Sequence, residues 1–149
     1  MVGYDVSVDI QVSPPIELAE FVADVCIADA GHSSVYRGRH KPTNTDVAIK
    51  LLTLDSSRAG AYQRFQHEVR STTRIVHPGI VRLFECGIVT PAQLHSEAFH
   101  PWVGRYYMVT EWLDGGCLSN HVATMQWSDV RTILLSLLDT LAVTHAHGL

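Results

Sequence analysis

Between residues 130 and 142, Val130, Ile133, Leu134, Leu137, Leu138, Leu141 and Ala142 recur at i, i+3, i+4, i+7, i+8, i+11 and i+12. That spacing marks one face of a 3.6-residue helix and gives it a wide apolar stripe. Ser128 stands where an N-cap is needed and Gly148 where the helix should stop. A stripe of this width has to be covered by the rest of the fold, so what precedes it decides the architecture. The longest apolar run, 134–143, is short and broken by Asp139, and no stretch approaches the roughly 18 apolar residues of a membrane span.

What precedes it is a rhythm of short β-forming runs and tight turns. Residues 21–29 are rich in β-formers, and Ala30-Gly31-His32-Ser33 is a turn. Residues 34–39 form a second strand and Lys41-Pro42-Thr43-Asn44-Thr45 a second turn. Residues 46–52 form a third strand, apolar after Asp46 except at Lys50. Three strands joined this closely predict an antiparallel meander. Residues 57–76 then change period: Phe65, Val69, Thr72 and Val76 recur at helical spacing, and His77-Pro78-Gly79 ends the run. A fourth strand is expected over 80–86 and a fifth over 106–111, separated by a long loop over 90–105. Asp114-Gly115-Gly116 is a break before the last segment. Residues 1–20 read as an N-terminal extension, since the alternation over 4–10 is cut by Ser13-Pro14-Pro15.

Composition removes several function classes. With 11 Lys+Arg against 15 Asp+Glu, a net charge of −4 and no basic run, no nucleic-acid partner is expected. The first five residues hold neither a basic region nor an apolar core, so no signal peptide is expected. Cys26, Cys86 and Cys117 are odd in number and far apart, which suits reduced thiols in a cytoplasmic protein better than a disulfide frame. At 46% apolar and 17% charged, the chain is an ordinary globular α+β sequence.

Two places could carry chemistry. The chain has only two lysines, and Lys50 sits inside Val47-Ala48-Ile49-Lys50. A lone ammonium in an apolar strand either reaches out to water along its stem or serves as an anion ligand held by a carboxylate. Glu68, beside Val69 on the expected helix, is the candidate partner; its ordinary alternative is a solvated residue paired with Arg64 at i−4. The turn between the first two strands is made of small residues, which lets backbone N–H groups approach a phosphate. A plain hairpin explains it equally well.

In combination these features resemble a protein kinase small lobe. The resemblance rests on the small-residue hairpin, Val47-Ala48-Ile49-Lys50, Arg64-Phe65-x-x-Glu68-Val69 and His77-Pro78-Gly79-Ile80-Val81-Arg82-Leu83. Tyr107-Met108-Val109-Thr110-Glu111-Trp112-Leu113-Asp114-Gly115-Gly116 looks like the fifth strand and hinge, and residues 141–149 like the end of the first long helix of the large lobe. The match runs over 21–149 in order and is closest in style to bacterial Ser/Thr kinases.

The resemblance implies a five-stranded antiparallel sheet with one helix over 21–113, followed by the first two helices of the large lobe over 114–149. It implies that ATP is the cofactor. Lys50 would grip its phosphates and Glu68 would hold Lys50. Ile27, Val35 and Ala48 would cover the adenine, Thr110 would stand at the back of the pocket, and backbone groups of Glu111 and Leu113 would meet the adenine edge. Leu83 and Thr72 would belong to a packed column. The phosphate loop departs from the family: Ala28, Ala30 and Ser33 stand where the pattern has glycine, and Gly31 falls one position late. Each added Cβ crowds the phosphate approach, so weak ATP binding is expected. The His-Arg-Asp catalytic loop and the Asp-Phe-Gly magnesium ligand do not occur, so no catalytic residue and no magnesium site is expected in this chain, and a truncated gene product is inferred. The uncovered apolar stripe of 130–142 then implies a protein partner on that face, aggregation, or an incomplete chain. The competing function is a pseudokinase-like module that binds nucleotide or protein without chemistry, or a non-functional relic.

Minor signals have ordinary explanations. His95, Glu97 and His100 have ligand chemistry but lie on an irregular loop, where solvated side chains are the commoner outcome. His145 and His147 suit a helix C-terminus. Trp102, Trp112 and Trp127 read as packing anchors, with no basic groove to make them a base-stacking platform.

Overall fold

The computed structural model describes residues 16–30, 33–52, 69, 75–94 and 101–148. They form two units: 1–61 with 84–112, and 62–83 with 113–149.

The first unit is a six-stranded sheet in the order β1-β2-β3-β4-β6-β5. The strands are β1 (Ile16–Leu18), β2 (Phe21–Asp29), β3 (Ser33–His40), β4 (Thr45–Leu52), β5 (Leu83–Ile88) and β6 (Tyr106–Glu111). β1 to β4 pair antiparallel in succession, and β6 pairs antiparallel with β4. The five expected strands are all present. The sixth comes from the segment read as an extension: Ile16 pairs with Ala23, and Leu18 is fully buried. β5 starts three residues later than expected. The chain at His77 turns instead, with the Ile80 N–H donating to the His77 carbonyl (3.0 Å), and Val81 is exposed.

Period-two alternation sorts each strand onto two faces. On one face Phe21, Ala23, Val47, Ile49, Leu51, Tyr107 and Val109 form the core with Leu18, Val89 and Trp102. Tyr36 joins from β3, its ring 5.0 Å from that of Trp102. The loop after β5 is tied down by backbone bonds: Val89 N–H to Arg105 O, Gly104 N–H to Val89 O and Ala19 N–H to Gln93 O. A Leu18–Leu94 bridge brings the same loop against β1. Gly38 is required where β3 crosses β2, because a Cβ there would run into the Val22 carbonyl oxygen.

The second unit contains α1 (Trp127–Ala146), preceded by two 3-10 turns at Leu118–Asn120 and Val122–Thr124 where the first of two helices was expected. The N-cap is Gln126 rather than Ser128: its N–H donates to the Asp129 carboxylate (2.8 Å), so the carboxylate three residues on sets the start. Gly148 does end the helix, at φ +78°. No residue of α1 is buried, and Leu134, Leu137, Leu138 and Leu141 are all exposed. The expected helix over 57–76 lies outside the described residues except for Val69, which is helical. No helix among the described residues is long and apolar enough to cross a membrane.

Candidate functional site

The sheet face opposite the core carries the sequence-predicted residues. Lys50 is flanked in register by Val35 on β3 and Met108 on β6, and Ala48 by Arg37 and Thr110. Ala28 on β2 stands opposite Val35. Directly opposed residues have Cβ atoms about 4.5–5.5 Å apart. Ala28, Val35, Ala48, Lys50 and Thr110 therefore form one continuous patch, apolar in the middle with an ammonium toward one end. The register between β2 and β3 slips between Cys26 and Ala28, which leaves Ile27 out of the ladder and 38% exposed at the margin of the patch.

Lys50 is half-buried, so its stem runs over apolar neighbours while its nitrogen stays reachable. No ion pair to it occurs among the described residues, and Glu68 lies outside them. The hairpin between β2 and β3 is closed by the Ala30 N–H donating to the Ser33 carbonyl (2.9 Å). Ser33 opens β3 opposite Leu52, and Gly31 lies outside the described residues. Among the described residues no cluster of three or more His, Cys, Asp or Glu could hold a metal, and His95, Glu97 and His100 are not among them.

At the far end of β6, the Thr110 hydroxyl donates to the Glu111 carbonyl (3.2 Å). Glu111 pairs with Val47, so its side chain has the parity of the core face while its backbone ends the ladder. Leu113 is 58% exposed and belongs to the second unit. Motif reading missed Met108, which shares the patch and lies two residues before Thr110, and the pair Arg37 and Trp112. The Arg37 guanidinium lies 5.0 Å over the centre of the Trp112 ring and 2.7 Å from Asp46 Oδ2. The signal for both was strand parity, since Arg37 follows Val35, and Met108 precedes Thr110, by two.

Behind the patch, in the core, the Tyr107 hydroxyl donates to the Glu85 carboxylate and accepts from Gln93 Nε2 (3.2 Å). Burial, then the bond to Glu85 and its negative charge, push the Tyr107 phenol well above its ordinary pKa. Tyr36 is raised as well, chiefly by burial and then by Cys26 and Asp29.

In the second unit, His77 Nδ1 accepts the Gly79 N–H (3.1 Å), which leaves Nε2 to donate to Asp139 of α1 (3.1 Å). His147 Nδ1 lies 2.8 Å from the Val143 carbonyl and caps the helix end. Of the three tryptophans, Trp102 is buried as an anchor, Trp112 stacks on Arg37 and Trp127 is 73% exposed. All three cysteines are free thiols.

The family model of the protein kinase domain matches residues 27–149. Serine/threonine-protein kinase Pkn1 of Myxococcus xanthus is 31% identical over 121 residues, covering 80% of this chain and 16% of that protein. Putative CBL-interacting protein kinase 13 of Oryza sativa subsp. japonica is 28% identical over 138 residues, 91% of this chain and 24% of that protein. The solved PknI kinase domain of Mycobacterium tuberculosis aligns at a TM-score of 0.68 and 19% identity, over 89% of this chain and 50% of that one, a likeness of fold. The chain thus spans less than a quarter of the length of these two relatives and half of the solved domain.

Proposed function

The chain belongs to the protein kinase domain family, and on that premise we propose that its first unit is the adenine-binding half of a Ser/Thr kinase nucleotide site. The observation that carries this reading is the patch itself: Val35, Ala48 and Thr110 share one face with Lys50 across three paired strands. A flat apolar surface beside an ammonium suits a planar base joined to an anionic group. Val35 and Ala48 would take the base from above, with Ile27 at the margin. Thr110 would bound it at the back, and the backbone at Glu111 and Leu113 would meet its edge. Lys50 would take the phosphates, with Glu68 to orient it. ATP bound there would supply the transferable phosphoryl group, and magnesium would be held by groups of the large lobe.

The phosphate loop limits this site. Ala28, Ala30 and Ser33 each carry a Cβ where the family's loop relies on bare backbone, and the gain from phosphate contacts falls accordingly. In this reading the 149-residue chain binds adenosine and ATP with similar, weak affinity and by itself transfers no phosphate. Phosphoryl transfer requires the base, the magnesium ligands and the acceptor to be positioned together. The replaced glycines also favour the second reading, a pseudokinase-like module that binds nucleotide without chemistry.

Titration calorimetry of the purified chain with adenosine and with magnesium ATP tests the site. Adenosine binding that Ala48→Phe abolishes is expected, because the larger ring fills the face the base would occupy. Binding that survives Ala48→Phe, or ATP held far more tightly than adenosine, refutes the reading.

A further inference from the structure

We infer that Arg37 is a positioning residue for the hinge: stacked on Trp112 and held by Asp46, it sets where the backbone after β6 runs, and so how well that backbone meets a base. The inference rests on the nucleotide reading above for its consequence, but not for its geometry.

β6 ends at Glu111, so Trp112 lies past the last ladder pair and is the last residue of the first unit. Its indole is met by the guanidinium of Arg37 at 5.0 Å. Arg37 is in turn fixed from the side by Asp46, 2.7 Å away. All three have the parity of the candidate patch: Asp46 precedes Ala48 by two, Arg37 stands opposite Ala48, and Trp112 follows Thr110 by two. The trio therefore continues the patch past Ala48, on the side away from Lys50. The ion pair is half-exposed, with side chains 46% and 42% accessible, so salt and water screen it. The planar stack is the part that carries position. An ammonium on a flexible stem cannot reproduce a flat cation lying on an indole while its edge binds a carboxylate. The Glu111 carbonyl accepts the Thr110 hydroxyl (3.2 Å), which ties the end of β6 to the residue that bounds the patch. How the backbone at the end of β6 is presented depends on the Glu111–Trp112 peptide, which is set by the Val47 pairing on one side and by the seat of Trp112 on Arg37 on the other.

The experiment uses the full chain with Arg37→Lys, Arg37→Met, Trp112→Leu and the Arg37→Met/Trp112→Leu double variant. Hydrogen exchange of the 110–113 segment reads the hinge, calorimetry reads adenosine affinity, and the melting midpoint monitors the fold. Arg37→Lys and Arg37→Met should both speed exchange at the hinge and weaken adenosine about two- to fivefold, the range a partly exposed cation–π contact supports. The midpoint should change little. The double variant should be no worse than the singles, because both residues act through one contact. A merely structural arginine would lower the midpoint without a selective change at the hinge. Unchanged hinge exchange in Arg37→Met, or full additivity in the double variant, overturns the inference. If the wild-type chain takes no adenosine, the nucleotide reading falls, and the exchange measurement still decides whether Arg37 positions the hinge.

Discussion

Replacing Tyr107 by Phe should change how the fold responds to alkali. The Tyr107 side chain is 3% exposed, and its hydroxyl is shared between Glu85 and Gln93. Gln93 Oε1 also accepts the Thr90 N–H and hydroxyl at 2.8 and 2.9 Å, so the phenol ties β5 and β6 to the loop that covers the core. Ionising it would bury an anion beside a carboxylate, and burial and Glu85 both hold the proton on in the folded chain. In the unfolded chain tyrosine releases its proton near pH 10. Above that value the folded state therefore binds more protons than the unfolded one. The stabilising effect is complete below about pH 10 and is lost as pH rises toward the folded-state value. Each such tyrosine contributes a slope of up to about 1.4 kcal/mol per pH unit. Tyr36, raised in the same direction, adds to it. Urea unfolding followed by circular dichroism from about pH 8 to about pH 11 follows the onset of this loss. Tyr107→Phe should cost about 1–3 kcal/mol near neutrality, because Glu85 and Gln93 lose a partner in a part-buried place. Its alkaline slope should be shallower than the wild type's by about one proton. Phenolate absorbance should show the wild type holding late-titrating tyrosine among its 5. Equal slopes for the two proteins, or every tyrosine titrating together near pH 10, would refute the argument.

Two further substitutions test the sheet. Gly38→Ala drives a Cβ against the Val22 carbonyl oxygen and to 3.1 Å from Ala23 Cα, both backbone that cannot swing aside, so it should cost at least about 1–3 kcal/mol. A melting midpoint within about 1 °C of wild type would show that β2 and β3 separate more easily than the register implies. Leu18→Ala should cost about 2–5 kcal/mol in urea unfolding, as expected of a fully buried leucine. A loss below about 0.5 kcal/mol would return residues 16–18 to the status of an extension.

The fold was legible where residue type and punctuation agreed. β2 and β6 match their sequence-read limits because each is a β-forming run bounded by breakers or a change of pattern. β1 escaped because three residues span barely one alternation, and Pro14-Pro15 just before it favours an extended approach to any fate. What makes it a strand is the tight hairpin onto β2, where Leu18 pairs with Phe21, together with the bridge from Leu18 to Leu94, and the second of these is a distant contact with no local signature. The start of α1 was missed for a different reason. Ser128 is the better N-cap by residue type, but the Asp129 carboxylate reaches the Gln126 N–H and moves the start two residues earlier.

The site shows the same division in a single residue type. The chain's two lysines were distinguishable in sequence because one lies in a breaker-rich turn and the other in an apolar strand. Lys41 duly pairs with Glu17 at 2.8 Å near the sheet edge, an exposed contact of little energetic weight. Lys50 stands in the middle of β4, between Val35 and Met108, where an ammonium loses packing and hydration that a leucine would not. The motif pointed to Lys50, and strand parity predicts which residues of the same strand share its face. Parity with Thr110 could put Met108 and Trp112 on the face of the site, but not Met108 directly beside Lys50 or Trp112 against Arg37, because β6 inserts between β4 and β5 only in the folded sheet. Arg37 is the sharper case: by sequence it is one more cation on an exposed stretch of β3, and it gains a role only when Trp112 arrives from the other end of the unit. Local pattern can therefore nominate the residues that would meet a ligand. The residues that would aim them become visible only once strand order is known.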